Sequence, residues 1–216
     1  DAIQSLPWAV DGGGVDAAVA IGDTLYIGGS FRGVARRAHR IGPFGVFDRL
    51  SGALVAADPG LAGSDVEAVV DDGSGGWYMS GVFFEGNALG GLVHVDATGR
   101  RLPFLPGLGA SFVNLRTLAR AGGVLFMGGD FTVVGGQPRR HLAALDLATL
   151  QVLSWNPDVD GAVTALSVHG TDLFIGGTFT AIGGQSRQGL AHIDLGTGSL
   201  TSWAPSVSGS LLGVRA

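Results

Sequence analysis

The side chains best suited to chemistry are of few types here. All 13 basic residues are arginine, and 16 of the 18 acids are aspartate. Asp48, Asp96, Asp146 and Asp194 each close a similar apolar run. Together they could form a carboxylate ring, but an aspartate that opens a turn caps backbone amides, and that role is expected. His94 and His192 stand two residues before two of these aspartates. A metal pair needs a convergence of ligands that this spacing does not supply, so structural roles are expected for both. His39, His141 and His169 fall in turns or at strand starts without a partner at ligand spacing. Asp158-Val159-Asp160-Gly161 and Asp71-Asp72-Gly73 have part of a calcium loop's pattern. They lack the further oxygen ligands and distal Glu of such loops, so solvated turns are expected.

The arginines are the better candidates for contact. Arg139 and Arg187 occupy equivalent places after Gly-Gly-Gln, where a guanidinium could meet a carboxylate or a glycan. The expected alternative is that they bind carbonyls or acids of the next repeat. From Phe31 to Asp48 is 17 positions, against 15 from Phe131 to Asp146 and from Phe179 to Asp194. That longer loop carries Arg32, Arg36, Arg37 and Arg40, and these, with Arg139, Arg140 and Arg187, form the candidate partner-binding set. No catalytic, cofactor or metal-ligating residues are identified. No G-x-S-x-G elbow stands on a strand-to-helix turn, and Gly12-Gly13-Gly14 precedes a strand rather than a phosphate-binding helix.

Composition narrows the field further. The net charge is −5 and lysine is absent, which argues against a nucleic-acid partner. Without cysteine there are no disulfides, no thiolate catalysis and no Cys-ligated metal. No run of about 18 apolar residues occurs, so no transmembrane segment is expected, and membrane contact would come only through a partner. No signal peptide is visible, and a chain opening at Asp1 is compatible with a mature or trimmed product. The mean hydropathy of +0.37 fits either an apolar β core or a surface covered by a partner.

These side chains are carried by a repeat. Gly28-Gly29-Ser30-Phe31, Ser80-Gly81-Val82-Phe83, Gly128-Gly129-Asp130-Phe131 and Gly176-Gly177-Thr178-Phe179 are four copies of one element, with phenylalanines 52, 48 and 48 residues apart. After each come the apolar run ending in Asp, a Ser/Thr-Gly-type turn, and then Phe104-x-Pro106, Trp155-x-Pro157 or Trp203-x-Pro205; the first copy keeps only Pro59. The repeats span approximately 15–65, 66–114, 115–162 and 163–210. Each reads as four short strands, in the last copy Val163–Val168, Asp172–Phe179, Gly189–Leu195 and Leu200–Trp203. Almost no helix is expected. Thirty-nine glycines in 216 residues, against roughly 7% in average proteins, fit such a turn-rich β chain.

Four strands per 48 to 52 residues predict an all-β fold, a β-propeller of four-stranded blades, with residues 1–216 as a single propeller or propeller fragment. Trp8 stands 7 residues before Val15, so residues 1–10 are expected to be the outer strand of an earlier blade. Leu211-Leu212-Gly213-Val214 aligns with the first strand of a further one. A chain cut in this way is expected to be a fragment, or to have its open edges covered by an assembly partner.

The unit G-G-x-F-T-x-x-G-G-Q-x-R, then L-A-x-x-D-x-x-T-G and W-x-P, resembles the delta-60-type β-propeller repeat of bacterial extracytoplasmic proteins. Gly128–Arg139 and Gly176–Arg187 match best, whereas Arg36-Arg37-Ala38-His39 and Asn87-Ala88-Leu89 depart from it. More weakly, Asp194, Thr197, Gly198 and Trp203, with Asp146, Thr149 and Trp155, resemble the tryptophan-docking motif of quinoprotein dehydrogenases. The tryptophan stands one residue late, and in both families the element is a dock between blades that implies no cofactor. Dense repeats, the absence of catalytic spacing and the high mean hydropathy point to a non-enzymatic scaffold or protein-interaction module, an extracytoplasmic or extrinsic subunit of a larger assembly. The alternative is a propeller binding a glycan or small ligand, or a quinoprotein-like enzyme, at its axial funnel.

Overall fold

The computed structural model describes residues 9–11, 13–21, 23–31, 33–35, 44–48, 50, 53–57, 65–85, 88–102 and 114–205. Among these residues the fold is all-β, every strand pairing is antiparallel, and no helix occurs. The chain divides into two compact units, Asp1–Phe104 and Leu105–Ala216.

The first unit holds β1 (Ala9–Asp11), β2 (Val15–Ile21), β3 (Thr24–Gly29), β4 (Gly33–Ala35), β5 (Phe44–Asp48), β6 (Leu54–Ala57), β7 (Asp65–Asp71), β8 (Trp77–Glu85) and β9 (Ala88–Val95). Its sheets run β2-β3-β5-β6 and β7-β8-β9, with β1 paired to β4. The second unit holds β10 (Asn114–Ala121), β11 (Val124–Asp130), β12 (Val133–Val134), β13 (Gln137–Pro138), β14 (Leu142–Asp146), β15 (Gln151–Val152), β16 (Val163–His169), β17 (Asp172–Gly177), β18 (Ala181–Ile182), β19 (Gln185–Ser186), β20 (Leu190–Asp194) and β21 (Ser199–Leu200). Two four-stranded sheets, β10-β11-β14-β15 and β16-β17-β20-β21, are accompanied by the small hairpins β12-β13 and β18-β19. Among the described residues none of these sheets closes on itself.

The four strands expected for the last repeat form in the expected order, but the second ends at Gly177 rather than Phe179 and the fourth is only Ser199–Leu200 in place of Leu200–Trp203. What differs more is the segment after the Gly-Gly-x-Phe element. In the second unit it folds into its own two-residue hairpins, turned by Gly135-Gly136 (φ 59° and 73°) and Gly183-Gly184 (φ 57° and 75°). Two consecutive positive φ values are what a type I′ turn requires, and glycine reaches them without strain. In the second repeat, which lacks that Gly-Gly, β8 runs on past a register shift to Phe84 and Glu85, paired with Leu89 and Ala88. Of the predicted outer strand at 1–10, Ala9 and Val10 pair instead with Ala35 and Val34 of β4. Residues 211–214 lie outside the described residues.

A register shift recurs in the first strand of every repeat: between Val15 and Ala17, Val66 and Ala68, Leu115 and Thr117, and Val163 and Ala165. Such a β-bulge brings the backbone of the first strand against the second. The glycine opposite has no room for a side chain. A Cβ at Gly29 would lie 2.2 Å from the Gly14 carbonyl oxygen, and one at Gly129 2.0 Å from that of Asn114. The preceding glycine makes room for a neighbouring sheet. Gly28 faces Val66, and Gly128 faces Val163, where an added Cβ would meet the valine Cγ1 at 2.4 and 2.6 Å.

This seat sits inside the core of each unit. In the first, Tyr26, Phe44 and Val46 of one sheet pack with Val66, Trp77, Met79 and Phe83 of the other. In the second, Phe126, Leu142 and Ala144 pack with Val163, Leu173, Ile175 and Phe179. Leu142 through Leu145 are all buried, so β14 is covered on both faces. The repeated phenylalanines Phe31, Phe83, Phe131 and Phe179 are all buried. The Thr117 hydroxyl also accepts a buried hydrogen bond from the Leu166 amide, tying the two sheets of the second unit together.

Gly128→Ala is therefore expected to overpack the seat and cost about 1–3 kcal/mol. In a double-mutant cycle with Val163→Ala, measured by urea denaturation, the two changes should couple by at least about 0.5 kcal/mol, because the smaller residue vacates the contested space. Gly129→Ala meets backbone and should show no such coupling.

Candidate functional site

The two arginines at equivalent positions make equivalent bonds. Arg139 donates from Nε and Nη2 to the Leu153 carbonyl at 3.2 and 2.7 Å, and from Nη1 to the Pro138 carbonyl at 2.7 Å. Arg187 donates from Nη2 to the Thr201 carbonyl and from Nη1 to the Ser186 carbonyl at 2.7 Å. In both cases the far carbonyl lies 14 residues on, just past the outer strand. The guanidinium thus ties the small hairpin to the edge of its own sheet. The expected partners in the next repeat are replaced by carbonyls of the same one, because β13 and β19 end beside that edge. Arg139 and Arg187 are buried, 8% and 7% exposed. Arg140, next in sequence, is exposed. Arg32, Arg36, Arg37 and Arg40 lie outside the described residues.

Three of the four repeated aspartates, Asp96, Asp146 and Asp194, cap turns. Asp96 accepts from the amides of Thr98 and Arg100 and from the Thr98 hydroxyl at 3.0, 3.1 and 2.6 Å. Asp146 accepts from the amides of Ala148 and Thr149 and from the Thr149 hydroxyl. Asp194 accepts from the amides of Gly196 and Thr197. The Thr98 hydroxyl bond, with the backbone bonds from Arg100 and Thr98, outweighs desolvation and lowers the Asp96 carboxyl to about 2. The Thr149 amide, then its hydroxyl, lower that of Asp146.

A third set of bonds involves histidine. The His94 Nε2 donates to Asp72 at 2.9 Å, and its ring stacks on Tyr78 at 4.1 Å. In the other unit the His192 Nε2 donates to Asp172 at 2.7 Å and its ring stacks on Phe174 at 4.9 Å. Its Nδ1 is 3.1 Å from the Thr201 hydroxyl. The two aspartates reach the ring by different routes. Asp172 is the first residue of β17, whereas Asp72 belongs to a longer turn whose Ser74 and Gly76 amides it also binds. Desolvation raises the Asp72 carboxyl, but His94 and these amides together pull it below the ordinary carboxylate value. The histidine pair was legible as a repeat; the aspartate partners were not, since no common spacing relates 72 to 94 and 172 to 192.

Two further contacts had only partial signals in the sequence. Asp160, within the calcium-loop-like stretch, accepts from the Thr180 amide and hydroxyl and from the Ala181 amide, 20 and 21 residues away. Burial raises its carboxyl, and these bonds more than reverse the effect. Trp155 donates its indole N–H to the Gly198 carbonyl at 3.2 Å, so the tryptophan of the third repeat touches the Thr-Gly turn of the fourth. Among the described residues no group of three or more His, Asp or Glu side chains gathers as a metal site would. Arg140 apart, the described Arg, Asp and His side chains named above join turns, hairpins and edges within their own units, and chemically they act as fixed hydrogen-bonded joints.

No family model matches the chain, and no curated protein is similar to it in sequence. Solved structures are similar in shape. The structure of YjhT aligns with a TM-score of 0.55 at 14% identity, over 94% of this chain and 68% of that one. The extracellular domain of BT4673 from B. thetaiotaomicron, described as a one component system, gives 0.54 at 16% identity, over 87% of this chain and 22% of that one. The computationally designed Ika4 protein gives 0.50 at 19% identity, over 78% and 89%. At such identities the likeness is one of fold alone.

Arg139→Lys keeps the charge but loses the planar fork, and should lower stability by about 1.5–3 kcal/mol in urea unfolding. The carboxyls of Asp72, Asp96, Asp146 and Asp160 are all held below their unfolded value of about 3.9. Their contribution is complete above that value and disappears as pH falls through the lower folded values. Thermal melts followed by circular dichroism should fall from about pH 4 towards pH 2. Asp96→Asn should reduce the lowest part of that fall.

Proposed function

We propose that the chain is a non-enzymatic scaffold or protein-interaction module of the β-propeller type, an extracytoplasmic or extrinsic part of a larger assembly. One observation carries the reading. The charged groups that recur from repeat to repeat are engaged in holding the repeat together: Arg139 and Arg187 on edge carbonyls, Asp96, Asp146 and Asp194 on turn amides. A polar group bound in this way is not poised for proton transfer or nucleophilic attack, which require a reacting atom within reach of it. The recurring chemistry belongs to the frame, and what differs between repeats is left to make contacts.

The propeller reading is supported by the strand order. β2-β3-β5-β6, β10-β11-β14-β15 and β16-β17-β20-β21 each run in sequence from first to fourth strand. The glycine-to-valine seats join β2-β3-β5-β6 to the three-stranded β7-β8-β9 at Gly28–Val66, and β10-β11-β14-β15 to β16-β17-β20-β21 at Gly128–Val163. The likeness of Gly128–Arg139 and Gly176–Arg187 to the delta-60-type repeat supports an extracytoplasmic location. The departures from the repeat, with the arginine-rich loop from Arg32 to Arg40 first among them, would supply the contact surface.

The scaffold and its rival, a ligand-binding or cofactor-bearing funnel, give different results with the purified chain. The scaffold reading expects no glycan bound on an array and no absorption band beyond that of the aromatic residues. Saturable binding of one glycan class, or a quinone-type band acquired on incubation with the cofactor, would overturn it.

A further inference from the structure

We draw no further inference here: the strongest candidate, the Asp172–His192–Thr201 side-chain cluster across β17, β20 and the residue after β21, belongs to the hydrogen-bonded joints already described, since the Thr201 hydroxyl is also held by the His192 carbonyl and the Trp203 amide.

Discussion

Among the described residues, the tightest backbone approach at a glycine is between the second strand of a repeat and the bulge in its first. At Gly29, Gly81, Gly129 and Gly177 an added Cβ would lie 1.9 to 2.2 Å from a backbone oxygen, so the bulge and the glycine require each other. The bulge shifts the register of the first strand, and the ladder beyond it carries the shift through to the turn. The adjacent glycine governs the next level. With no side chain at Gly28 or Gly128, the valine of a neighbouring sheet enters and the apolar cores of the two units close around it. The second repeat shows the consequence of changing this pair. It has Ser80 in place of the first glycine, fully buried with its hydroxyl unpartnered among the described residues.

The same economy explains the polar composition. Short side chains that cap their own turns suit a chain of tight reversals, and aspartate does this where glutamate, one methylene longer, does not. Arginine alone among cations can place two donors on one carbonyl while a third reaches another, as Arg139 does with Leu153 and Pro138. A buried ammonium would satisfy fewer of these acceptors and shed water less readily. The narrow choice of charged residues is thus explained by what the joints demand, without invoking a ligand.

How far the site was legible depended on the range of each interaction. The turn role of Asp96, Asp146 and Asp194 follows from the residues beside them, because an aspartate two to four positions from its amide partners caps them readily. The burial of the repeated phenylalanines follows from their period. The direction of Arg139 and Arg187 was not legible in this way: the carbonyls of the next repeat and of the same repeat are both within reach of a long side chain. Only the path of the hairpin after Gly135-Gly136 decides between them. Asp160 and Thr180, 20 residues apart, meet for a similar reason, through the chain's return along β18.

The order of residues determined by itself that this chain is all-β, the order of the main strands within its last repeat, and several of the turns that glycine and aspartate would make. These are local properties, set by backbone sterics and by hydrogen bonds spanning a few residues. Tertiary structure alone decided which aspartate answers each histidine, which carbonyl each arginine holds, and that Trp155 is seated on Gly198. Those pairings form only when segments distant in the chain are brought side by side by burial of the apolar core. That burial depends on the summed fit of many side chains, and no single spacing encodes it.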